Sequence, residues 1–201
     1  LTLAMALSPV MAWSADAADQ LRQFVSQVTS AKGQFTQQRI NEEGKSAAAA
    51  QSGTFSFRRP GQFKWAVSKP YEQLVLSNGK QVYQYDPDLA QVTERSVDAS
   101  IGASPAAILF GSGELEDVFT LQEQGEQDGL VWLRATPRSA EAGFAHVDIG
   151  FRDNMPARLQ VQDSFSQTTR IDLSSIEKNP DLPADEYVFQ APEGVDVVKM
   201  P

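Results

Sequence analysis

The spacing of apolar residues changes twice along this chain. Before residue 16 the run LTLAMALSPVMAWSA is apolar or small throughout and carries no charge. From Asp16 the period becomes helical. Leu21, Phe24, Val25 and Val28 recur at i, i+3, i+4 and i+7, with Arg22, Gln23 and Gln27 opposite, which predicts an amphipathic helix of about three turns. Gly33 reads as the end of that region. GQFTQQRI then starts an alternating run anchored on Phe35, and Asn41 to Gly53 reads as a solvent loop or a long hairpin connection.

The next stretch, GTFSFRRPGQFKW from Gly53 to Trp65, carries the strongest pattern. Strand alternation puts Gly53, Phe55, Phe57 and Arg59 on one face and Thr54, Ser56 and Arg58 on the other. Pro60-Gly61 predicts a type II turn, after which Phe63, Trp65 and Val67 share a face. Parity therefore turns Arg59, rather than Arg58, toward the apolar side. Two readings are open for it: a guanidinium set into an apolar lining, or one that bends out to water along its aliphatic stem.

Further strands follow. Gln73 to Ser77 and Lys80 to Tyr85 flank the hairpin signal Asn78-Gly79, and Ala90 to Ser96 alternates after the turn Asp86-Pro87-Asp88. The run IGASPAAILFGSGELEDVF interrupts them. Ser104 is placed to cap a short helix with Pro105 in its first turn and Ile108, Leu109 and Phe110 clustered behind, and Glu114 to Phe119 suits a second helical turn. Strands resume at Val118 to Gln122, Leu130 to Thr136, Phe144 to Phe151, Ala157 to Asp163 and Thr168 to Ile176, and EYVFQAPEGVDVV adds a short strand and a turn. About ten or eleven short strands at regular spacing predict a mainly β chain built on one curved antiparallel sheet or barrel, with one face buried and one wet. The helices are too few to cover both faces. They are expected as lids over the concave side, leaving an apolar cavity whose candidate lining includes Leu21, Phe24, Phe55, Phe57, Phe63, Trp65, Ile108, Leu109 and Phe110.

Composition narrows the chemistry. The chain has 201 residues, no cysteine and a net charge of −9, which suits one domain and argues against nucleic-acid binding or lasting adhesion to anionic lipid. Residues 1–15 read as the tail of a secretory signal peptide, with cleavage after Ser14, Ala15 or Ala17, and residues 16–201 as a single exported domain. Without cysteine it forms no disulfide and no cysteine-linked lipid anchor. Catalysis has little to stand on. His146 is the only histidine and reads as an ordinary strand residue. The acidic groups Asp86 with Asp88, Glu114 with Glu116 and Asp117, and Asp181 with Asp185 fall in turns where solvated carboxylates are expected. Neither an enzyme nor a metal or cofactor site is expected. Arg59 draws attention instead, because a charge in an apolar lining is costly unless it is hydrogen-bonded, and its five donors suit carbonyls on the covering helices.

Five stretches in this order resemble the LolA family of periplasmic lipoprotein carriers: DAADQLRQ leading to GQFTQ, FRRPGQFKW, LVLSNGKQVYQYDP, SPAAILF and FQAPEGVDVV. The resemblance implies an incomplete antiparallel β-barrel closed by an α-helical lid over a hydrophobic cavity for acyl chains. It implies a chaperone-like role in outer-membrane biogenesis, taking triacylated lipoproteins from the inner-membrane ATP-driven complex LolCDE and passing them to the outer-membrane receptor LolB. By resemblance the gate arginine is Arg59, its lid partners are Leu21, Ile108, Leu109 and Phe110, and Phe63 is the aromatic of the partner-facing hairpin. Phe24, Phe55, Phe57 and Trp65 are expected to line the cavity. The insert departs from familiar members, with Ala106 and Ala107 at bulkier positions and Phe110 where a small residue is common. A monomer without stable membrane insertion is expected. The alternative reading is a periplasmic binding module for another lipid or lipid-linked ligand.

Overall fold

Asp16 starts the first helix because its carboxylate accepts the backbone N–H of Asp19 at 2.7 Å, satisfying one of the donors a helix start leaves over. The computed structural model describes residues 16–97, 107–110, 115–139 and 142–200. The signal-peptide reading of residues 1–15, and the placement of Ser104, Pro105, Ala106 and Glu114, lie outside the described residues. So do the side chains of Ala107 and Ile108.

Helix α1 (Ala17–Gln27) leads directly into β1 (Ser30–Ile40). A meander of β2 (Gln51–Arg58), β3 (Gln62–Lys69), β4 (Gln73–Asn78), β5 (Gln81–Asp86) and β6 (Gln91–Ser96) follows. After α2 (Ala107–Phe110) and α3 (Leu115–Val118) comes a second meander: β7 (Phe119–Gln127), β8 (Leu130–Pro137), β9 (Phe144–Arg152), β10 (Met155–Asp163) and β11 (Thr168–Lys178). Pairing of β1 with β11 welds the two meanders into one sheet of twelve strands, ordered β12-β6-β5-β4-β3-β2-β1-β11-β10-β9-β8-β7, where β12 is Asp196–Lys199. The two outermost strands do not pair with each other, so the sheet curls without closing. Its inner face carries one continuous apolar cluster reaching from Phe63 on β3 to Phe151 on β9.

Several local expectations are corrected. The described residues form twelve strands, in keeping with the roughly eleven expected, but β12 runs parallel to β6 instead of antiparallel, with Asp196 beside Gln91. The stretch around Tyr187 is a turn and an extended strap rather than a strand, in a segment where Pro180, Pro183 and Pro192 have no N–H to give a ladder. Val118 closes α3, and β7 starts at Phe119. Gly33 lies within β1 instead of ending the helical region. A Cβ there would sit 2.7 Å from the ring of Phe55, its cross-strand partner, so glycine makes room for that ring. Gly61 has the positive φ of 74° that Pro-Gly predicted, but the Arg59–Pro60 bond is cis, which the expected type II turn does not include.

The outer face is also less wet than alternation alone suggested. The strap crosses β2 to β5, where Ser56 donates to Glu186 Oε1 at 2.9 Å and Arg58 Nη2 donates to the carbonyl of Leu182 at 3.0 Å. Phe189 stacks on Tyr83 with centroids 4.8 Å apart, and beneath this layer Leu76, Val92 and Tyr187 are buried. The other half of the outer face keeps a polar lattice, with Arg134 on Asp148 at 2.7 Å and both Arg158 and Arg170 on Asp172 at 2.6 and 2.8 Å.

Gly53 marks the tightest point of the sheet. Beside the register shift between β2 and β3, a Cβ at this position would fall 1.8 Å from the carbonyl oxygen of Ala66, a backbone atom that cannot turn aside. Gly53→Ala is expected to lower folding stability by about 3 kcal/mol, read as a drop in the urea midpoint with little change in slope. A midpoint equal to that of the unsubstituted chain would contradict the close approach.

Candidate functional site

Hairpin β2–β3 builds one wall of the interior. Phe55 and Phe57 point inward from β2, and Trp65 and Phe63 stand opposite them on β3 as their cross-strand partners. Phe35, from β1, stacks on Trp65 with centroids 3.7 Å apart. From α1, Phe24 meets the edge of Phe57 at 6.0 Å. Phe110 of α2 lies against Phe57 at 4.7 Å and Phe55 at 5.2 Å, each ring nearly parallel to its neighbour. These rings make an unbroken aromatic chain from the helices into the sheet, and Phe57 and Phe110 are 0% and 1% exposed. The space expected as a cavity is thus occupied, at its described positions, by the side chain of Phe110 itself.

Arg59 sits at the end of this chain, on the inner side that strand parity indicated. Its backbone N–H donates to the carbonyl of Thr29 at 2.8 Å and its Nε to the carbonyl of Val28 at 3.1 Å, where α1 has just ended. The guanidinium carbon is 4.9 Å from the Phe57 centroid and 5.1 Å from that of Phe24, a cation-over-ring placement on both. Burial lowers its pKa from the ordinary arginine range to about 10, since a charge partly removed from water is disfavoured. Arg58 turns the other way, 5.4 Å from the Tyr187 ring under the strap. The outer face therefore takes the neighbouring arginine, held there by the strap.

The remaining sequence candidates fall around this centre. Leu21 and Leu109 are 4% and 0% exposed and belong to the same apolar cluster. Ile108 lies in α2, its side chain outside the described residues. Phe63, expected at a partner-facing position, is 4% exposed and packed inside. His146 stands on β9 with Nε2 3.7 Å from Asp148, and partial burial lowers its pKa. Asp86 Oδ1 accepts the N–H of Asp88 in their turn, and Glu116 pairs with Arg22 at 3.1 Å, structural uses for carboxylates that had been weighed for catalysis. Among the described residues no three potential ligands converge on a metal-sized site.

Residues that sequence reasoning missed hold α1 in place. Glu123 of β7 receives the N–H groups of Ala17 and Ala18 at 3.1 and 2.8 Å, a carboxylate at the positive end of a helix. At the other end Asn179 accepts from Thr29 N at 2.9 Å and donates to the carbonyl of Gln27 at 3.0 Å. These partners are more than a hundred residues from the helix in sequence, so no local pattern announces them.

An open sheet curled round an aromatic interior, roofed by short helices and edged by one half-buried arginine, defines a class of β-rich proteins with an apolar inner face. The family model described as "Outer membrane lipoprotein carrier protein LolA" matches residues 26–190. The chain is 60% identical to the outer-membrane lipoprotein carrier protein of Bordetella avium over 98% of its length and 93% of that protein's. It is 56% identical to the protein of that name from Bordetella pertussis, over 97% and 92% of the two chains. This chain belongs to the LolA family. Among solved structures, a conserved protein of Thermus thermophilus aligns with a TM-score of 0.58 at 13% identity, covering 92% of this chain and 100% of that one. A putative outer membrane lipoprotein-sorting protein domain from Vibrio parahaemolyticus aligns at 0.51 and 10% identity, over 85% and 95%. At such identities these two speak to the fold alone.

Desolvation of Arg59 gives a test that needs no ligand. The folded state disfavours the charged form, so the native chain gains stability as pH rises through about 10 toward the higher value of the unfolded chain. Arg59→Met removes that cost and is expected to raise stability by about 1–2 kcal/mol at pH 7, a figure discounted because part of the group still reaches solvent. The gap between the two chains is expected to narrow in urea melts taken from pH 9 to 11. An advantage that instead widens with pH would reverse the assignment.

Proposed function

We propose that this chain is a periplasmic carrier of outer-membrane lipoproteins, acting as a chaperone for their acyl chains rather than as an enzyme. Residues 16–201 form the carrier domain, and residues 1–15 the remnant of its export signal. The observation that carries the reading is the packing of Phe110 between Phe55 and Phe57 beside the half-buried Arg59. An apolar interior stoppered by a side chain from a four-residue helix is a site that an acyl chain can fill by displacing that ring. The names of the Bordetella relatives supply the cargo class. No helix among the described residues is long and apolar enough to cross a membrane.

In this mechanism Leu21, Ile108, Leu109 and Phe110 form the lid side of the gate, and Phe24, Phe55, Phe57 and Trp65 the lining that receives the chains. LolCDE is the donor and LolB the acceptor. Phe63 meets a partner only after the lid has moved, since the closed interior covers it. Burying one 16-carbon chain is worth roughly 12 kcal/mol at about 0.8 kcal/mol per methylene, and three would exceed the practical ceiling of non-covalent binding. A carrier must therefore lose part of that gain. Arg59 provides the loss. In the closed form it holds the Val28 carbonyl and two ring faces, whereas an acyl-filled interior takes those partners away and leaves a guanidinium against hydrocarbon.

Release of a triacylated lipoprotein from spheroplasts is expected to require this protein, and mass spectrometry of the soluble complex to find the lipoprotein bound. A different co-purifying lipid would favour the more general binding module. Arg59→Leu is expected to take up an apolar fluorescent probe more readily and to hand cargo to LolB about tenfold more slowly, the equivalent of 1.4 kcal/mol. Unchanged uptake together with unchanged release would remove Arg59 from the mechanism.

A further inference from the structure

The helices do not cover the interior as one plate. A groove of about 340 Å³ runs between α1 and α3, floored by Leu21, Val25 and Leu115. Leu21 belongs to the interior cluster, and Val25 and Leu115 pack against it, so the floor of the groove is continuous with the aromatic interior. Among the described residues a single side chain spans its mouth: Arg22 on α1 reaches Glu116 Oε1 on α3 at 3.1 Å while also holding Asp19 at 2.9 Å. Both ends of that bridge are more than half exposed, at 61% and 62%. Exposed pairs of this kind hold weakly and are screened by salt, which suits a fastening that opens often.

The two sides of the groove are secured unequally. Glu123 holds the start of α1, and Asn179 and Arg59 hold the chain at its end, so α1 is tied to β7, β11 and the β2–β3 turn. Among the described residues, α3 is a four-residue helix held, besides Arg22, by Leu115 against the interior cluster, by chain continuity with β7 and by hydrogen bonds from Arg138 to the carbonyls of Glu116 at 3.4 Å and Val118 at 2.9 Å. α3 is therefore the more lightly fastened side of the seam.

We infer that acyl chains pass into and out of the interior through the seam between α1 and α3, with Arg22 and Glu116 as its latch. This rests on the carrier reading and adds the route. The occupant is a saturated hydrocarbon chain, because the floor offers aliphatic carbon continuous with an aromatic interior and the polar groups stand only at the rim. Aligned at this mouth, the Arg22–Glu116 pair meets the polar end of an acylated molecule while the chain lies below.

The absence of cysteine makes the test clean. In the full chain carrying Arg22→Cys and Glu116→Cys, a short bis-maleimide is used to staple α1 to α3, and uptake of dansylaminoundecanoic acid is followed by fluorescence. The unstapled double variant is expected to fill at least as fast as the parent chain, and stapling to slow filling tenfold or more. A control staple between Lys32→Cys and Glu177→Cys, a cross-strand pair on β1 and β11, is expected to leave the rate unchanged. Arg22→Glu, which sets two carboxylates across the seam, is expected to speed uptake several-fold and to reverse its salt dependence, since screening then weakens a repulsion. Equal rates with and without the α1–α3 staple would overturn the route and leave the carrier reading standing. Failure of every form, parent included, to take up the probe would overturn both.

Discussion

Stacking of one phenylalanine ring between two others is the contact on which the closed form depends. Phe110 joins a four-residue helix to a sheet wall at centroid distances of 4.7 and 5.2 Å, and so short a helix has no stability of its own. The ring does two jobs at once. It fixes the insert to the sheet and fills the apolar volume that would otherwise stand open. Because the same contact serves as roof support and as stopper, a ligand that fills the interior in the proposed mechanism also releases the roof.

Arg59 is intelligible only beside that stack. An arginine at the rim of an aromatic interior costs stability through its burial, and the Val28 carbonyl and two ring faces meet it there. These partners sit on the very elements that frame the interior. In the proposed carrier mechanism, removal of cargo then restores contacts instead of breaking them.

Much of this was legible in the sequence, for physical reasons that differ by element. Alternation fixed the inward side of Phe55, Phe57 and Arg59, because side-chain parity in a strand is a local property. The helical stripe of Leu21 and Phe24 and the Asn78-Gly79 hairpin were local too. What escaped was long-range or depended on a neighbour's bulk. Gly33 resembled a terminator, but its partner is the Phe55 ring on the next strand. Asn179 serves a helix end 150 residues earlier, which no local pattern announces. The strap around Tyr187 had the composition of a strand. Proline placement and stacking on Tyr83 turned it into a cover for the outer face. The aromatic members of the candidate site were therefore readable, while the occupation of its interior by Phe110 was not, since only the folded path brings that insert over the wall.

The pairing of β12 with β6 has a consequence for the order of assembly. Asp196–Lys199 lies about a hundred residues beyond the strand it covers, and the intervening chain must first build the other meander. During synthesis the outer edge of β6 therefore lacks this partner until the far end of the chain arrives. A bare edge of this kind invites pairing with other chains. The sheet's final seal is thus also its latest contact, and a molecule in which it has not formed keeps its β6 edge open to neighbours.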